Sequence, residues 1–240
     1  MLRILHGRHR SPFIFVEMDQ SKTVIYMPGD GYTESVAQPF LSYLNQHGFK
    51  TIYVPLLEED QNCSYDDLST SNYCRYIDRY IPKSTPNLIG VAISKGSHWL
   101  RVYASKRSNV FKHIVLMEET TMTPELMIQF EKQRGNDYVE EFYHEPDDIS
   151  GLDATQKALD VIVSDKEEYC PKNIPIDIIF TSRSNTNEPY SSEVIRLKNR
   201  YVKYLKDHKC RVRVHHFDSD HCIDLHPEFY PQLLNIIASD

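Results

Sequence analysis

The chain has 240 residues, of which 40% are hydrophobic and 25% are charged, and its formal net charge is −7. These values fit one globular unit with a sizeable core and exclude a largely disordered chain. The acidic balance argues against nucleic-acid binding, and charged residues interrupt the N-terminal apolar run, which excludes a signal-peptide core or a membrane span there. We therefore expect a cytoplasmic protein.

Apolar runs alternate with amphipathic segments along most of the chain. Residues 2–17 are predicted to form an antiparallel hairpin around a polar turn. Further strands are predicted at 23–27, 50–57, 87–93, 111–117, 174–182 and 210–217. Helices are predicted at 34–48, 68–81, 98–107, 193–208 and 226–239. This alternation indicates an α/β fold with a mainly parallel sheet covered by helices on both faces.

Residues 118–173 interrupt the rhythm, because they contain helical pieces and many acids but no clear strand. We interpret this part as an insertion, a small helical lid at about 119–173. The prediction is therefore a single domain over residues 1–240 that carries this lid.

Neither the cysteines nor the histidines form a recognisable metal motif. The five cysteines are odd in number and include no CxxC pair, so we expect free thiols rather than a disulfide framework or a zinc site. Asp218, Asp220, His221 and His226 are close in sequence, but their spacing matches no closed ligand pattern. The loop PGDG at 28–31 lacks a Walker lysine and a GxGxxG pattern. No metal and no other cofactor is expected.

The stretch VAISKGSHWL, residues 91–100, contains the strongest catalytic signal. Ser94 follows a predicted strand and precedes a predicted helix, and Ala92 and Gly96 are small residues two positions away on either side. A serine raised on a sharp strand-to-helix turn needs small neighbours, because backbone segments come close together there. The pattern favours a nucleophilic Ser94 over an ordinary loop serine.

With these residues the chain resembles the α/β-hydrolases, a superfamily of serine esterases, lipases and thioesterases. The family's G-x-S-x-G motif stands here as Ala92-Ile93-Ser94-Lys95-Gly96, and the hairpin, the PGDG loop, the insertion and a late histidine follow in family order. The resemblance implies a general base after the last strand. His215 and His216 lie within that predicted strand and His226 begins the last helix, so His221, in the loop between them, is the expected base.

The resemblance also implies an oxyanion hole made of two backbone N–H groups. Lys95, directly after the nucleophile, would provide the first, and Asp30, after the glycine of the PGDG loop, would provide the second. A carboxylate side chain at position 30 must then point away from the oxyanion.

The acid of the triad departs from the family pattern. The family usually has an aspartate four residues before a proline, and counting back from Pro189 gives Asn185. Three alternatives remain: Glu188 from a shifted loop, Glu118 or Glu119 directly after the preceding strand, or Asn185 as it stands. We place Glu118 and Glu119 first, because a carboxylate at that strand end can face the site.

The sequence thus predicts a serine hydrolase that cleaves a carboxylic ester or thioester of a small molecule. The acyl-enzyme on Ser94 would be hydrolysed by water that His221 activates. The alternative is a catalytically impaired, hydrolase-like protein that binds a small molecule or a protein partner. Asn185, and Pro28 where the family often has histidine, favour that alternative.

Overall fold

The computed structural model describes residues 22–59, 69–82, 88–119, 169–184 and 187–239. Six strands form a single sheet in the order β2-β1-β3-β4-β5-β6, and every neighbouring pair is parallel. Their bounds are Thr23–Met27 (β1), Lys50–Tyr53 (β2), Leu88–Ile93 (β3), Phe111–Met117 (β4), Pro175–Thr181 (β5) and Arg211–Phe217 (β6). The predicted α/β fold with a parallel sheet is confirmed. The predicted hairpin, and residues 120–168 of the predicted lid, lie outside the described residues.

Helices cover both faces of this sheet. Their bounds are Glu34–Gln46 (α1), Thr70–Ile77 (α2), Lys95–Lys106 (α3), Ser192–Asp207 (α4) and Tyr230–Ala238 (α5). Helices α1 and α5 pack on one face, and α2, α3 and α4 pack on the other. No helix in the described ranges combines the length and the apolar character needed to cross a membrane.

The central strands are buried on both sides, which explains their unbroken apolar runs. Along β4, Ile114 and Leu116 belong to one core, whereas Val115 and Met117 belong to the other. Successive side chains of a strand point to opposite faces, so a strand between two helical layers needs apolar residues at every position.

Two element boundaries differ from the prediction for identifiable reasons. The strand predicted to reach residue 57 ends at Tyr53, two residues before Pro55, which has no N–H group to continue the ladder. Helix α3 begins at Lys95 rather than at residue 98, because the chain turns directly from β3 into the helix.

Cys170 and Cys210 are joined by a disulfide, with their Cα atoms 6.7 Å apart. The expectation of free thiols is therefore wrong for this pair, whereas Cys74 and Cys222 form no disulfide. The two bonded cysteines precede β5 and β6, whose parallel pairing brings the chain segments before them together. The two cysteines are 40 residues apart in the sequence and belong to no local motif, so the sequence did not indicate this contact.

Candidate active site

Ser94 is the single residue between β3 and α3. Its backbone has φ 53° and ψ −124°, outside the regions that most side chains adopt. Six described non-glycine residues have positive φ, and the two that are buried are Ser94 and Glu118, where φ is 44°. Such conformations cost roughly 1–3 kcal/mol each and concentrate at functional sites. The strained backbone thus coincides with two residues that the sequence singles out.

The turn at Ser94 is packed against the loop that follows β1. A Cβ atom added to Gly96 would lie 2.2 Å from the carbonyl oxygen of Pro28, so no residue other than glycine fits there. A Cβ added to Gly29 would lie 3.2 Å from Cβ of Ser94. The small residues at the turn therefore permit a close backbone approach, which is the physical reason given for the motif above.

Backbone hydrogen bonds continue across the ends of the central strands. The N–H group of Ser94 donates to the carbonyl oxygen of Met117 at 2.8 Å, and the N–H group of Glu118 donates to that of Ile179 at 2.9 Å. Ser94 and Glu118 consequently leave adjacent strands side by side at the carboxyl edge of the sheet, where open α/β sheets bind their ligands.

The carboxylate of Glu118 is fully buried and surrounded by donors. Oε1 accepts from the N–H group of Thr181 at 2.6 Å, and Oε2 accepts from the hydroxyl of Tyr190 at 2.6 Å. Lys198 Nζ lies 2.9 Å from Oε1 and 3.0 Å from Oε2, and His221 Nδ1 lies 3.4 Å from Oε2. Burial alone would raise the pKa of Glu118, but Lys198, His221 and Tyr190 outweigh it and lower the pKa to about 2.

The alternative acids lie elsewhere or beyond the described residues. Glu119 is buried, and its Oε1 accepts from Arg101 Nε at 2.8 Å. Glu188 is exposed to solvent. Asn185 lies outside the described residues. In the ranges that the structure covers, Glu118 is the one of these candidates whose carboxylate lies beside His221.

Two other histidines of this region have carboxylate partners of their own. His226 Nε2 lies 2.9 Å from Asp220 Oδ1, and His215 Nε2 lies 2.6 Å from Asp177 Oδ1. Within the described residues, no group of three or more His, Cys, Asp or Glu side chains could hold a metal ion.

The two residues proposed to form the oxyanion hole contact each other through their side chains. Lys95 Nζ lies 2.6 Å from Asp30 Oδ1 and 3.1 Å from Glu58 Oε1. Burial alone would lower the pKa of Lys95, but the carboxylates of Glu58 and Asp30 outweigh it and raise the pKa. The carboxylate of Asp30 is thus directed to the Lys95 ammonium, which is compatible with a free backbone N–H group at position 30.

Sequence reasoning missed Tyr190 and Lys198, which contact the carboxylate of Glu118. For Lys198 a signal was present: the buried positions of α4 include Val194, Leu197, Lys198 and Tyr201, so this lysine falls on the apolar stripe of its helix. A charged residue at such a position indicates a buried partner. Tyr190 lies in an irregular segment and has no comparable periodicity.

Several solved structures resemble this chain in fold. An α/β-hydrolase enzyme from the metagenome of sediments of the Mar Chica lagoon in Morocco matches with a TM-score of 0.63 at 17% identity, covering 90% of this chain and 89% of the other. Polyneuridine aldehyde esterase matches with a TM-score of 0.63 at 12% identity, covering 92% and 100%. A serine hydrolase involved in carbazole degradation matches with a TM-score of 0.60 at 14% identity, covering 91% and 92%.

These neighbours are hydrolases, and at such identities the likeness concerns the fold alone. No family model matches the chain, and no curated protein matches it by sequence. The sheet order, the strained serine between β3 and α3, and the three structural neighbours agree with one another. The chain has the fold of the α/β-hydrolase superfamily.

Proposed function

We propose that the protein is a serine hydrolase that cleaves a carboxylic ester or thioester of a small molecule. The observation that carries this proposal is the combination of a strained, buried Ser94 with a His221–Glu118 pair at the same edge of the sheet. Strain at a buried serine serves no packing purpose, and a buried ionised carboxylate beside an imidazole orients a base.

In the proposed reaction, Ser94 Oγ attacks the carbonyl carbon while His221 accepts the hydroxyl proton. Since Nδ1 of His221 faces Glu118, Nε2 is the nitrogen left for Ser94. The tetrahedral oxyanion would be held by the N–H groups of Lys95 and Asp30. Collapse expels an alcohol or thiol that takes the proton from His221. A water molecule deprotonated by His221 then attacks the acyl-enzyme, and the bond between Ser94 Oγ and the acyl carbon breaks as His221 returns the proton to Oγ and the acid leaves.

The proposed roles of Lys95 and Asp30 have support in the hydrogen-bond pattern. Neither N–H group donates to an acceptor among the described residues, so both are available to a ligand. Lys95 is the first residue of α3, where the helix leaves its N–H groups without intrahelical partners. The positive end of the helix dipole adds to the attraction for a developing oxyanion.

The first test is covalent labelling with a fluorophosphonate followed by intact mass measurement. We expect one adduct on the wild type and none on Ser94→Ala or His221→Ala. Ser97→Ala is the matched control, because Ser97 lies in the first turn of α3, close to Ser94 in the chain, and its hydroxyl donates to the carbonyl oxygen of Met117. This variant should be labelled like the wild type.

A second comparison separates the candidate acids. Glu118→Gln should slow labelling by about 10²- to 10⁴-fold, because an amide stabilises the imidazolium far less than a carboxylate does. Glu188→Gln should label at the wild-type rate. Equal rates for Glu118→Gln and the wild type would remove Glu118 from the mechanism.

A binding role on a hydrolase fold is the second candidate. One observation favours it: among the described residues, no hydrogen bond joins Ser94 Oγ to His221. Such contacts are often long in free enzymes and shorten when substrate binds, so we rank this reading second. A folded wild type that takes no adduct would select the binding role.

A further inference from the structure

Lys198 lies on the apolar face of α4, and only 5% of its side chain is exposed. A buried ammonium is costly unless a carboxylate and further contacts compensate for its lost hydration. Exposed lysines are the rule on an amphipathic helix, so this position indicates a specific partner.

That partner is the carboxylate faced by the proposed base. Lys198 Nζ contacts both oxygens of Glu118, at 2.9 Å and 3.0 Å. Nζ also lies 3.8 Å from the centre of the Tyr190 ring, whose hydroxyl donates to the same carboxylate. The ammonium therefore offsets the charge of the acid directly, rather than from a distance.

The charge of an unpaired carboxylate beside an imidazole favours the imidazolium, so the base becomes active only at a higher pH. A cation in contact with that carboxylate opposes this effect. We infer that Lys198 is a positioning residue of the proposed triad, which keeps Glu118 ionised while offsetting part of its charge. Replacing Lys198 by a neutral residue should therefore raise the pH at which labelling of Ser94 becomes fast. The inference rests on the proposed function.

Within the described residues, the ionisable groups Asp220 and Asp224 lie in the same loop as His221 and have partners of their own. Asp220 pairs with His226 at 2.9 Å, and Asp224 accepts from the hydroxyl of Tyr26 on β1. Lys198 takes part in none of these contacts. Glu118 at the end of β4 and Tyr190 before α4 are the groups that face both His221 and Lys198. Glu118 Oε2 thus joins the two groups, with Lys198 Nζ at 3.0 Å and His221 Nδ1 at 3.4 Å.

The test is the pH dependence of the second-order rate constant for fluorophosphonate labelling of Ser94. In Lys198→Met the midpoint of this profile should move up by about one pH unit, roughly a tenfold loss of rate on the rising limb. Lys198→Arg keeps the positive charge and should restore the wild-type midpoint. Lys203→Met is the matched control, because Lys203 lies on the same helix with 75% of its side chain exposed. It should leave the profile unchanged.

Lys198→Gln provides a second neutral variant if the methionine variant does not fold. The pH midpoint of the His221 ring signals, followed by NMR, gives a readout that needs no activity. An upward movement of this midpoint in a neutral variant supports the inference, even if the wild type takes no label and the proposed function fails. An unchanged or lower midpoint in a folded neutral variant overturns the inference, and normal labelling of the wild type would then leave the proposed function standing.

Discussion

Gly96→Ala tests the close packing behind the strained serine. The new Cβ would lie 2.2 Å from the carbonyl oxygen of Pro28 and 2.6 Å from that of Met27, against an ordinary contact of at least 3.4 Å. Both clashing atoms are backbone, so rotation of a side chain cannot relieve the overlap. The loop after β1 must move by about 1 Å, and we expect a loss of stability of about 3 kcal/mol, at the upper end for overpacked sites.

The same movement of the loop should also slow the reaction of Ser94. The loop displaced in Gly96→Ala carries Asp30, and a shift of about 1 Å at a positioning group is worth about 10²-fold in rate. We would measure unfolding by urea and, in the folded fraction, the labelling rate of Ser94. The control is Gly31→Ala in the same loop: nothing lies within 4 Å of its added Cβ, and φ of +72° predicts a cost of about 1 kcal/mol.

The reasoning would be refuted by a Gly96→Ala variant with the same urea midpoint and the same labelling rate as the wild type. Equal losses of stability in Gly96→Ala and Gly31→Ala would also contradict it. In that case, close backbone approach would not explain why glycine occupies position 96.

Three further predictions concern buried charges. Burial raises the pKa of Asp224 to about 6, although the hydroxyl of Tyr26 donates to its carboxylate. The contribution of Asp224 to stability is therefore complete below pH 3.8 and is lost as the pH rises through 6. In urea unfolding at pH 8, Asp224→Asn should be more stable than the wild type by about 3 kcal/mol, and this difference should disappear below pH 4. The pKa of Glu118 is lowered instead, so the stability that its carboxylate contributes is complete above pH 4.5 and is lost as the pH falls towards 2. In thermal melts at successively lower pH, Glu118→Gln should therefore lose less stability than the wild type. Lys95→Met and Asp30→Asn should each slow labelling of Ser94. The double variant should be no slower than Lys95→Met alone, because Lys95→Met already removes the ion pair with Asp30, together with the contact between Lys95 and Glu58. Additive losses would contradict this.

The sheet and the serine turn were predictable because their signals are local. Long apolar runs mark strands buried on both faces, and small residues around Ser94 mark a tight turn, whatever the rest of the chain does. No local signal in the sequence distinguishes Glu118 from Glu119 as the partner of His221. Adjacent residues at a strand end point in opposite directions, and Glu118, whose backbone has a positive φ, is the one whose carboxylate lies beside His221. A positive φ at a glutamate cannot be predicted from the residue type.

The other features that the sequence did not predict are contacts between distant segments of the chain. The Cys170–Cys210 disulfide follows from the pairing of β5 with β6, and the sequence alone does not contain that register. Tyr190 reaches Glu118 across 72 positions of the chain. Lys198 reaches it across 80, and its place on an apolar stripe was the one visible hint.

The amides of Ser94 and Glu118 are part of the hydrogen-bond ladder of the sheet. Their spacing is therefore set by main-chain contacts in the region that opens least often, since interior strands unfold only with the whole molecule. Heat should accordingly abolish labelling and melt the sheet in a single step, with no folded but inactive state between. The amide protons of Ser94 and Glu118 should be among the last to exchange with deuterium.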